Sequence, residues 1–268
     1  MRFSILGLGA TLLAAATPAL AQDAPTEPPA DLTFSGSATV VTDYRFRGLT
    51  QSNGDPVFQA TLSLNHKSGL YVGVFESLID GGPDGSTPLL TNYGDIEIDL
   101  YGGYTKTLDN GVGVDAGLLY YYYADARSGV NTDFFEPYAS VSYTVGPVSA
   151  KVGGNYAWGG QKGLDFTAGK DDSIYVYGDA AVGIPTTPVT LKGHVGYTNG
   201  SLGLANIVVS DDSYLDWSVT GEMVGDHFKA GVSYVDTDVS NANVAGIGRY
   251  AKSLGRGSTV LGYVTMTF

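Results

Sequence analysis

The sequence predicts an all-β protein, a transmembrane antiparallel up-and-down β-barrel of about twelve strands. Three observations support this class. Nearly every segment after Thr33 alternates polar and apolar residues, tight turns alternate with longer loops, and aromatic residues gather near the strand ends. Alternation with a period of two is typical of strands. The composition agrees, because 38 of the 268 residues are Gly and 19 are Tyr, and aromatic residues are enriched in strands.

Twelve alternating segments are separated by connections of two kinds. The predicted strands run over residues 33–48, 56–66, 69–79, 93–107, 111–124, 133–145, 147–158, 172–184, 189–198, 213–224, 227–237 and 258–268. After the first connection, every second one is a tight turn built from Gly, Asn, Asp or Pro, and the others are longer polar loops. An even number of strands with this asymmetry is the layout of outer-membrane barrels, whose turns face the periplasm.

The stretch DIEIDLYGGY at residues 95–104 raises the question of which strand face points inward. Its three acids lie on one face of a strand and its aliphatic residues lie on the other. The aliphatic faces contain many Gly and Ala, which would pack a dry core poorly but leave no void against lipid. Two aromatic bands flank this aliphatic belt, as expected at the two headgroup levels of a membrane. The predicted bands are Tyr44, Phe46, Tyr120, Tyr122, Trp158, Tyr197, Trp217 and Tyr234 near the loops, and Phe34, Tyr104, Tyr143, Phe228 and Phe268 near the turns.

This orientation places the charged rows inside the barrel. In strand three the hydropathy of the two faces is similar, and we place Glu76 inside with Tyr71, Phe75 and Ile79 outside. Acids outnumber bases in the lumen, which predicts a narrow aqueous path that favours cations. Alternatively, Arg45, Arg47 and lysines seal the lumen with ion pairs. The predicted pore-lining residues are Asp43, Arg45, Arg47, Glu76, Asp95, Glu97, Asp99, Asp115, Glu136, Lys151, Asp179, Lys192, His194, Asp216 and Glu222.

The two ends of the chain predict export and barrel closure. Residues 1–21 have a charged start, a short apolar run and a small-residue cleavage pattern, which predict a cleaved signal peptide. Residues 22–32 are rich in Pro and acids and predict a flexible periplasmic segment, and residues 33–268 form the barrel. An open sheet edge is not viable at membrane depth, so the first strand must pair with the last, which ends in Phe268. We therefore expect the protein in the outer membrane of a Gram-negative bacterium.

Other functional classes are disfavoured. The net charge of −13 argues against nucleic acid, and the absence of Cys excludes disulfides and thiolate metal sites. Residues 80–86, DGGPDGS, lack the repeated Asp and closing Glu of a calcium-binding loop. His194 is the one mid-strand histidine, and Asp179, Asp216 and Ser218 on adjacent strands could approach it, as an outer-membrane hydrolase would need. A histidine paired with a lumenal carboxylate is the simpler interpretation, so we predict no enzyme, cofactor or metal site.

Six stretches resemble the TorF family of predicted porins. They are TDYRFRGLTQS (42–52), GLYVGVF (69–75), IEIDLYGGY (96–104), YYYY (120–123), FEPYASVSY (135–143) and YLDW (214–217), with a departure at Ala124, where we expect proline. The resemblance implies an outer-membrane barrel that passes small solutes. We thus predict a narrow, cation-leaning channel for passive diffusion of small hydrophilic solutes or ions, and alternatively a non-conducting barrel that displays its loops. The expected partners are outer-membrane lipid, lipopolysaccharide, the barrel assembly machinery and the solutes themselves.

Overall fold

The chain forms a closed antiparallel barrel. The computed structural model describes residues 31–81, 90, 92–164, 172–202, 212–245 and 248–268, so the predicted signal peptide and residues 22–30 of the predicted flexible segment lie outside it. Within the described residues, twelve strands form the barrel. They are β1 (Leu32–Val41), β4 (Val57–His66), β5 (Leu70–Gly81), β6 (Gly94–Thr107), β7 (Gly113–Tyr123), β8 (Phe134–Val145), β9 (Val148–Ala157), β10 (Ser173–Gly183), β11 (Val189–Gly200), β12 (Ser213–Val224), β13 (Phe228–Thr237) and β16 (Thr259–Thr267).

The remaining elements are short and belong to the long connections. They are β2 (Arg45–Phe46), β3 (Leu49–Thr50), β14 (Asn243–Val244), β15 (Gly248–Arg249) and the helix α1 (Tyr250–Ser253). β2 pairs with β3 and β14 pairs with β15. No helix in the described part of the chain is long and apolar enough to span a bilayer.

The barrel closes between its first and last strands, as predicted. The register runs from Ser37 opposite Thr267 to Val41 opposite Tyr263. At the end of this seam, the N–H of Gly36 donates to the carbonyl of Phe268 at 2.9 Å, and the N–H of Phe268 donates back at 3.0 Å. Every barrel strand therefore has two hydrogen-bonded neighbours, which satisfies the backbone groups that lipid cannot.

The apolar rows face outward around most of the barrel. On β6 and β7 the side chains of Leu100 and Leu118 are exposed, whereas those of Asp99 and Tyr121 are buried inside. We call the end with the long connections the loop end and the other the turn end. The turn-end aromatic residues are exposed, as predicted: Phe34, Tyr104, Tyr143, Phe228 and Phe268. At the loop end, Tyr122, Trp158, Tyr197 and Tyr234 are exposed, and Tyr120 and Trp217 are partly so.

The predicted first strand is too long, because β1 ends at Val41 and residues 42–56 turn into the lumen. We call these residues the inturned segment. Tyr44 and Phe46, which we expected in the outer aromatic band, lie inside it and pack on Phe75 and Tyr121, with ring centroids 6.1 and 5.9 Å apart. The polar–apolar alternation continues past Val41 because the aromatic side chains pack on the inner barrel wall instead of on lipid.

The predicted facing of the third strand is wrong. On β5, Glu76 lies on the outer face, while Phe75 and Ile79 are buried inside. Tyr71 also faces inward, where its hydroxyl donates to Asp115 Oδ1 at 2.7 Å. The error arises because both faces of β5 are apolar, and the interior beside it is filled by aromatic rings from the inturned segment rather than by water.

The interior is filled at the loop end and more open at the turn end. Along the inner face of β1, Thr33 is exposed and Ser35 is partly exposed, whereas Thr39 and Val41 are buried. The inner face of β6 follows the same gradient from Thr107 to Glu97. The largest fully buried side chains include Tyr44 and Tyr121, which belong to the filled part.

Candidate functional site

The candidate functional site is the loop-end half of the lumen, which the inturned segment crosses. The segment is tied to itself, since Gln51 N–H donates to the carbonyl of Tyr44 at 2.8 Å and Tyr44 N–H donates to Ser52 Oγ at 3.0 Å. It is also bound to the connection that precedes β16 and to strand β5. Thr50 N–H donates to the carbonyl of Gly255 at 3.0 Å, and Asp80 N–H on β5 donates to the carbonyl of Gln51 at 2.8 Å.

The backbone reverses at Arg47 and Gly48 near the middle of the segment. Their φ angles are +49° and +80°, in the left-handed region that favours glycine. A Cβ on residue 48 would come 2.6 Å from Thr237 Cγ2 and 2.8 Å from Asp216 Cβ, so the tip of the turn lies against β12 and β13. Only glycine therefore lets the segment reach the opposite wall.

Arg47 joins the inturned segment to the barrel wall through a buried ion pair. Its Nη2 donates to both Oε1 and Oε2 of Glu136 at 2.7 Å, and the two side chains are only 4% and 0% exposed. Tyr121 Oη and Asn155 Nδ2 also donate to Glu136 Oε2, at 3.1 and 3.0 Å. The guanidinium lies 4.4 Å from the ring centroid of Tyr175. Removing either charge would leave the other buried and unpaired, which makes this contact a strong anchor.

Asp43 and Arg45 hold the inturned segment in shape. Arg45 Nε donates to Asp43 Oδ2 at 2.6 Å, and Thr50 Oγ1 donates to Asp43 Oδ1 at 2.6 Å. Arg45 Nη1 also donates to the carbonyls of Gly255 at 2.7 Å and Gly257 at 3.3 Å. Both charged side chains thus stabilise the inturned segment, and Arg45 also binds it to residues 255–257, whereas the sequence predicts that the two residues lie along a barrel strand.

A second group of charges lies on the wall formed by β9 to β12. His194 Nδ1 is 2.6 Å from Asp179 Oδ1, and its Nε2 is 3.1 Å from Asp216 Oδ1 and 2.8 Å from Tyr175 Oη. Lys151 Nζ is 3.5 Å from Asp179 Oδ2. Both ring nitrogens of His194 are occupied by these groups, so neither is left to activate a serine nucleophile.

A third ion pair lies beside this group. Lys192 Nζ is 2.6 Å from Glu222 Oε1, and both side chains are buried. Tyr263 Oη donates to Glu222 Oε2 at 2.5 Å. The lysine charge is thereby neutralised within the wall between β11 and β12.

The acids of DIEIDL meet different surroundings. Asp95 is exposed at the loop end, where its backbone N–H donates to Asp125 Oδ1 at 3.0 Å. Glu97 and Asp99 are buried inside the barrel, 3% and 0% exposed. Among the described residues no Lys, Arg or His lies within ion-pair distance of either carboxylate.

Inward-facing tyrosines lie flat on glycines of neighbouring strands, a feature that the sequence analysis missed. A Cβ on Gly117 would come 2.4 Å from Tyr138 Oη, and one on Gly231 would come 2.5 Å from Tyr263 Cζ. Each glycine lies directly opposite its tyrosine in the register. The same contact occurs in the pairs Gly73–Tyr101, Gly103–Tyr71 and Gly153–Tyr177. The sequence pattern that could have revealed this contact is an inward-facing glycine opposite an inward-facing tyrosine on the adjacent strand.

Fourteen of the fifteen predicted pore-lining residues therefore lie on the inner side or at the loop-end mouth, and Glu76 lies on the outer face. The inturned segment brings Arg47 to Glu136 and pairs Asp43 with Arg45. The β9–β12 wall brings together two further groups, Lys151, Asp179, His194 and Asp216 in one and Lys192 and Glu222 in the other. Asp115 faces inward nearer the turn end, bonded to Tyr71. Whether these residues line a conducting path stays a prediction.

Comparison with known proteins identifies the fold. The outer-membrane channel COG4313 from Pseudomonas putida F1 is similar over 91% of this chain and 100% of its own, with a TM-score of 0.51 and 10% identity. The outer-membrane channel DcaP of Acinetobacter baumannii is similar over 88% of this chain and 97% of its own, with a TM-score of 0.41 and 11% identity. At 10% identity, the similarity to the COG4313 channel shows a shared barrel fold.

The sequence itself gives a family. No curated protein matches the chain. The TorF resemblance is not confirmed under that name, while a family described as "Bacterial protein of unknown function (Gcw_chp)" matches residues 25–268, nearly the whole chain after the predicted signal peptide. The chain belongs to the Gcw_chp family.

Proposed function

We propose that the protein is an outer-membrane channel through which small hydrophilic solutes or ions diffuse passively, and that its narrow lumen favours cations. The observation that carries the proposal is a closed barrel with an apolar outer face and a polar, acidic interior. An apolar outer face suits contact with outer-membrane lipid and lipopolysaccharide. The barrel assembly machinery would insert such a chain after export and removal of residues 1–21.

The charge distribution supports a preference for cations. Four of the lumenal bases, Arg45, Arg47, Lys151 and Lys192, each have a carboxylate partner. Glu97 and Asp99 have no such partner among the described residues, so the acids are in excess. An unbalanced negative charge in a confined lumen raises the local concentration of cations.

A second candidate is a non-conducting barrel that displays its loops. The observation in its favour is the inturned segment, whose buried ion pair between Arg47 and Glu136 closes much of the loop-end lumen. A hydrolase is less well supported, because His194 is held between two carboxylates inside the barrel. We therefore propose no catalytic residue.

Single-channel recording of the purified, refolded protein in planar bilayers separates the two candidates. The wild type is compared with a variant in which residues 44–52 are replaced by a short Gly/Ser linker. We expect small discrete conductance steps in the wild type and steps several times larger in the variant, because the segment narrows the lumen. If both the wild type and the variant fold into vesicles and neither conducts, the channel proposal is contradicted and the loop-display barrel is favoured.

A further inference from the structure

Four buried oxygen atoms that make no hydrogen bond of normal geometry meet where Tyr44 of the inturned segment packs against the inner wall of the barrel. Both carboxylate oxygens of Asp99, Oε2 of Glu97 and Oη of Tyr44 are buried, and none makes a hydrogen bond of normal geometry to another described residue. The hydroxyl of Tyr44 interacts with both carboxylates, and Tyr44 and Tyr123 lie close enough to Glu97 to share a hydrogen bond with it, so the unpartnered carboxylate of the cluster is that of Asp99. Half of the eight such atoms in the described part of the chain therefore belong to this one place. Buried polar atoms in native proteins are nearly always partnered, so the cluster needs an explanation.

The four atoms have a common chemistry. All are oxygens, two of the three groups are carboxylates, and none of the nearby lumenal bases reaches them, because Arg47 is bound to Glu136. An ionised carboxylate buried without a partner costs several kcal/mol or more, and is tolerated only with a cation or as the neutral acid. The local chemistry thus calls for a positive charge that the protein chain does not supply.

Aromatic rings enclose the carboxylates. Phe75 and Tyr121 are the residues directly opposite Asp99 on the two neighbouring strands, and Tyr123 is directly opposite Glu97. The ring of Tyr44 packs on that of Phe75. Aromatic faces attract cations, and oxygen atoms from carboxylate and hydroxyl groups replace the hydration shell of an alkali ion.

We propose that Glu97, Asp99 and Tyr44 form a binding site for one small monovalent cation in the lumen. A divalent ion is less suitable, since Ca²⁺ takes six to eight oxygen ligands and the described residues contain no group of three or more His, Cys, Asp or Glu that could hold a metal. The physiological role of the site rests on the proposed channel function. In that channel, a permeating cation would lose its hydration water at this site.

Equilibrium binding of radioactive Rb⁺ to the refolded protein in detergent tests the site without requiring conduction. Choline chloride holds the ionic strength constant. We expect saturable binding of about one Rb⁺ per barrel that K⁺ displaces. The double variant Glu97→Gln/Asp99→Asn is expected to lose at least tenfold in affinity, and Tyr44→Phe, which keeps the ring but removes one oxygen, several-fold.

The matched control is Glu76→Gln, which makes the same chemical change on the outer face of the adjacent strand and is expected to bind Rb⁺ like the wild type. Heat-dependent electrophoretic mobility reports whether each variant has folded. If the double variant does not fold, the Rb⁺ affinity of the single variant Asp99→Asn tests the site instead. Equal binding by wild type and the carboxylate variants overturns the site, as does an infrared signature of a protonated Asp99 carboxyl that Rb⁺ does not remove. A barrel that binds Rb⁺ but does not conduct would refute the channel and leave the site intact.

Discussion

At the scale of single residues, the side of the barrel wall decides what a carboxylate does. Asp95, Glu97 and Asp99 face the loop-end mouth or the lumen, whereas Glu76, on the next strand, faces outward. In the proposed channel a lumenal charge would act on the permeating ions, whereas a charge outside the wall is separated from the lumen by the barrel. The same substitution should therefore have different effects on selectivity at these positions.

Neutralising the three acids together tests this difference. The variant Asp95→Asn/Glu97→Gln/Asp99→Asn is expected to lower the preference for cations, because it removes the excess negative charge of the lumen. The measurement is the reversal potential in a KCl gradient across a planar bilayer, with Glu76→Gln as the control. If the wild type, the triple variant and Glu76→Gln have the same reversal potential, these three acids do not determine the selectivity.

The buried pair Arg47–Glu136 should contribute far more to stability than an exposed pair. Replacing one partner, as in Arg47→Met or Glu136→Gln, is expected to lower the free energy of unfolding by about 3–5 kcal/mol, because the other charge stays buried without a partner. The double variant should lose less than the sum of the single losses. Denaturant unfolding of the refolded barrels measures these values.

The pair Lys67–Asp31 is the matched control for this cycle. Its N–O distance is also 2.7 Å, but the side chains are 60% and 69% exposed. Solvent screens such pairs, so Lys67→Met should leave the unfolding free energy nearly unchanged. Similar losses at Arg47 and at Lys67 would show that burial of the Arg47 pair has little energetic consequence.

The contact between inward tyrosines and glycines can be tested at Gly117. An added Cβ would come 2.4 Å from Tyr138 Oη and 2.5 Å from the carbonyl oxygen of Gly102, so Gly117→Ala is expected to cost about 1–3 kcal/mol through overpacking. At Gly221 no atom lies within 4 Å of the Cβ position, and Gly221→Ala should be tolerated. Unfolding in denaturant compares the two. Equal stability of both variants would mean that the ring moves aside freely.

At the scale of elements, periodicity predicts strands well but does not reveal where the partner surface is. All twelve barrel strands are predicted, since lipid on one side and a polar lumen on the other give each a regular alternation. The same alternation continues through Tyr44 and Phe46 although they lie inside the lumen. For β5, with apolar residues on both faces, the one acid, Glu76, led to the wrong facing.

The site was less predictable than the fold, because its contacts join distant parts of the chain. The inward facing of Glu97, Asp99 and Glu136 follows from strand parity. The pairing of Glu136 with Arg47, 89 positions earlier in the sequence, depends on how the inturned segment folds across the lumen. The positive φ angles at Arg47 and Gly48 belong to that tertiary arrangement, which alternation does not encode.

The docking of the inturned segment predicts different reactivity at two adjacent positions. Ser52 is 1% exposed, whereas its neighbour Asn53 is exposed. The chain contains no cysteine, so Ser52→Cys and Asn53→Cys each introduce a single thiol. A charged methanethiosulfonate reagent should modify residue 53 at least tenfold faster, because residue 52 reacts only when the segment opens. Equal rates in the folded barrels would indicate that the segment is not docked.

At the scale of the whole molecule, the seam that closes the barrel between β1 and β16 extends to Phe268. Phe268 exchanges two backbone hydrogen bonds with Gly36, and its ring lies over that glycine, where an added Cβ would come within 2.7 Å of two ring atoms. Strand β1 lies between β16 and β4. The pair formed by Gly36 and Phe268 is the last one of the β1–β16 seam at the turn end. The ring covers a position that has no side chain of its own.

Two truncations separate the contributions of the backbone and the ring. Deleting Phe268 removes both hydrogen bonds, each of which contributes about 0.5–1.5 kcal/mol, together with the ring, whereas Phe268→Ala removes the ring alone. Phe228→Ala, at another exposed aromatic residue of the turn-end band, controls for the loss of a lipid-facing ring. We expect the folded fraction in vesicles, measured by heat-dependent mobility, to fall most for the deletion, less for Phe268→Ala and least for Phe228→Ala. Equal values for the two alanine variants would mean that Phe268 acts only as one more aromatic residue at the membrane surface, and that the backbone pairing with Gly36 closes the barrel without its ring.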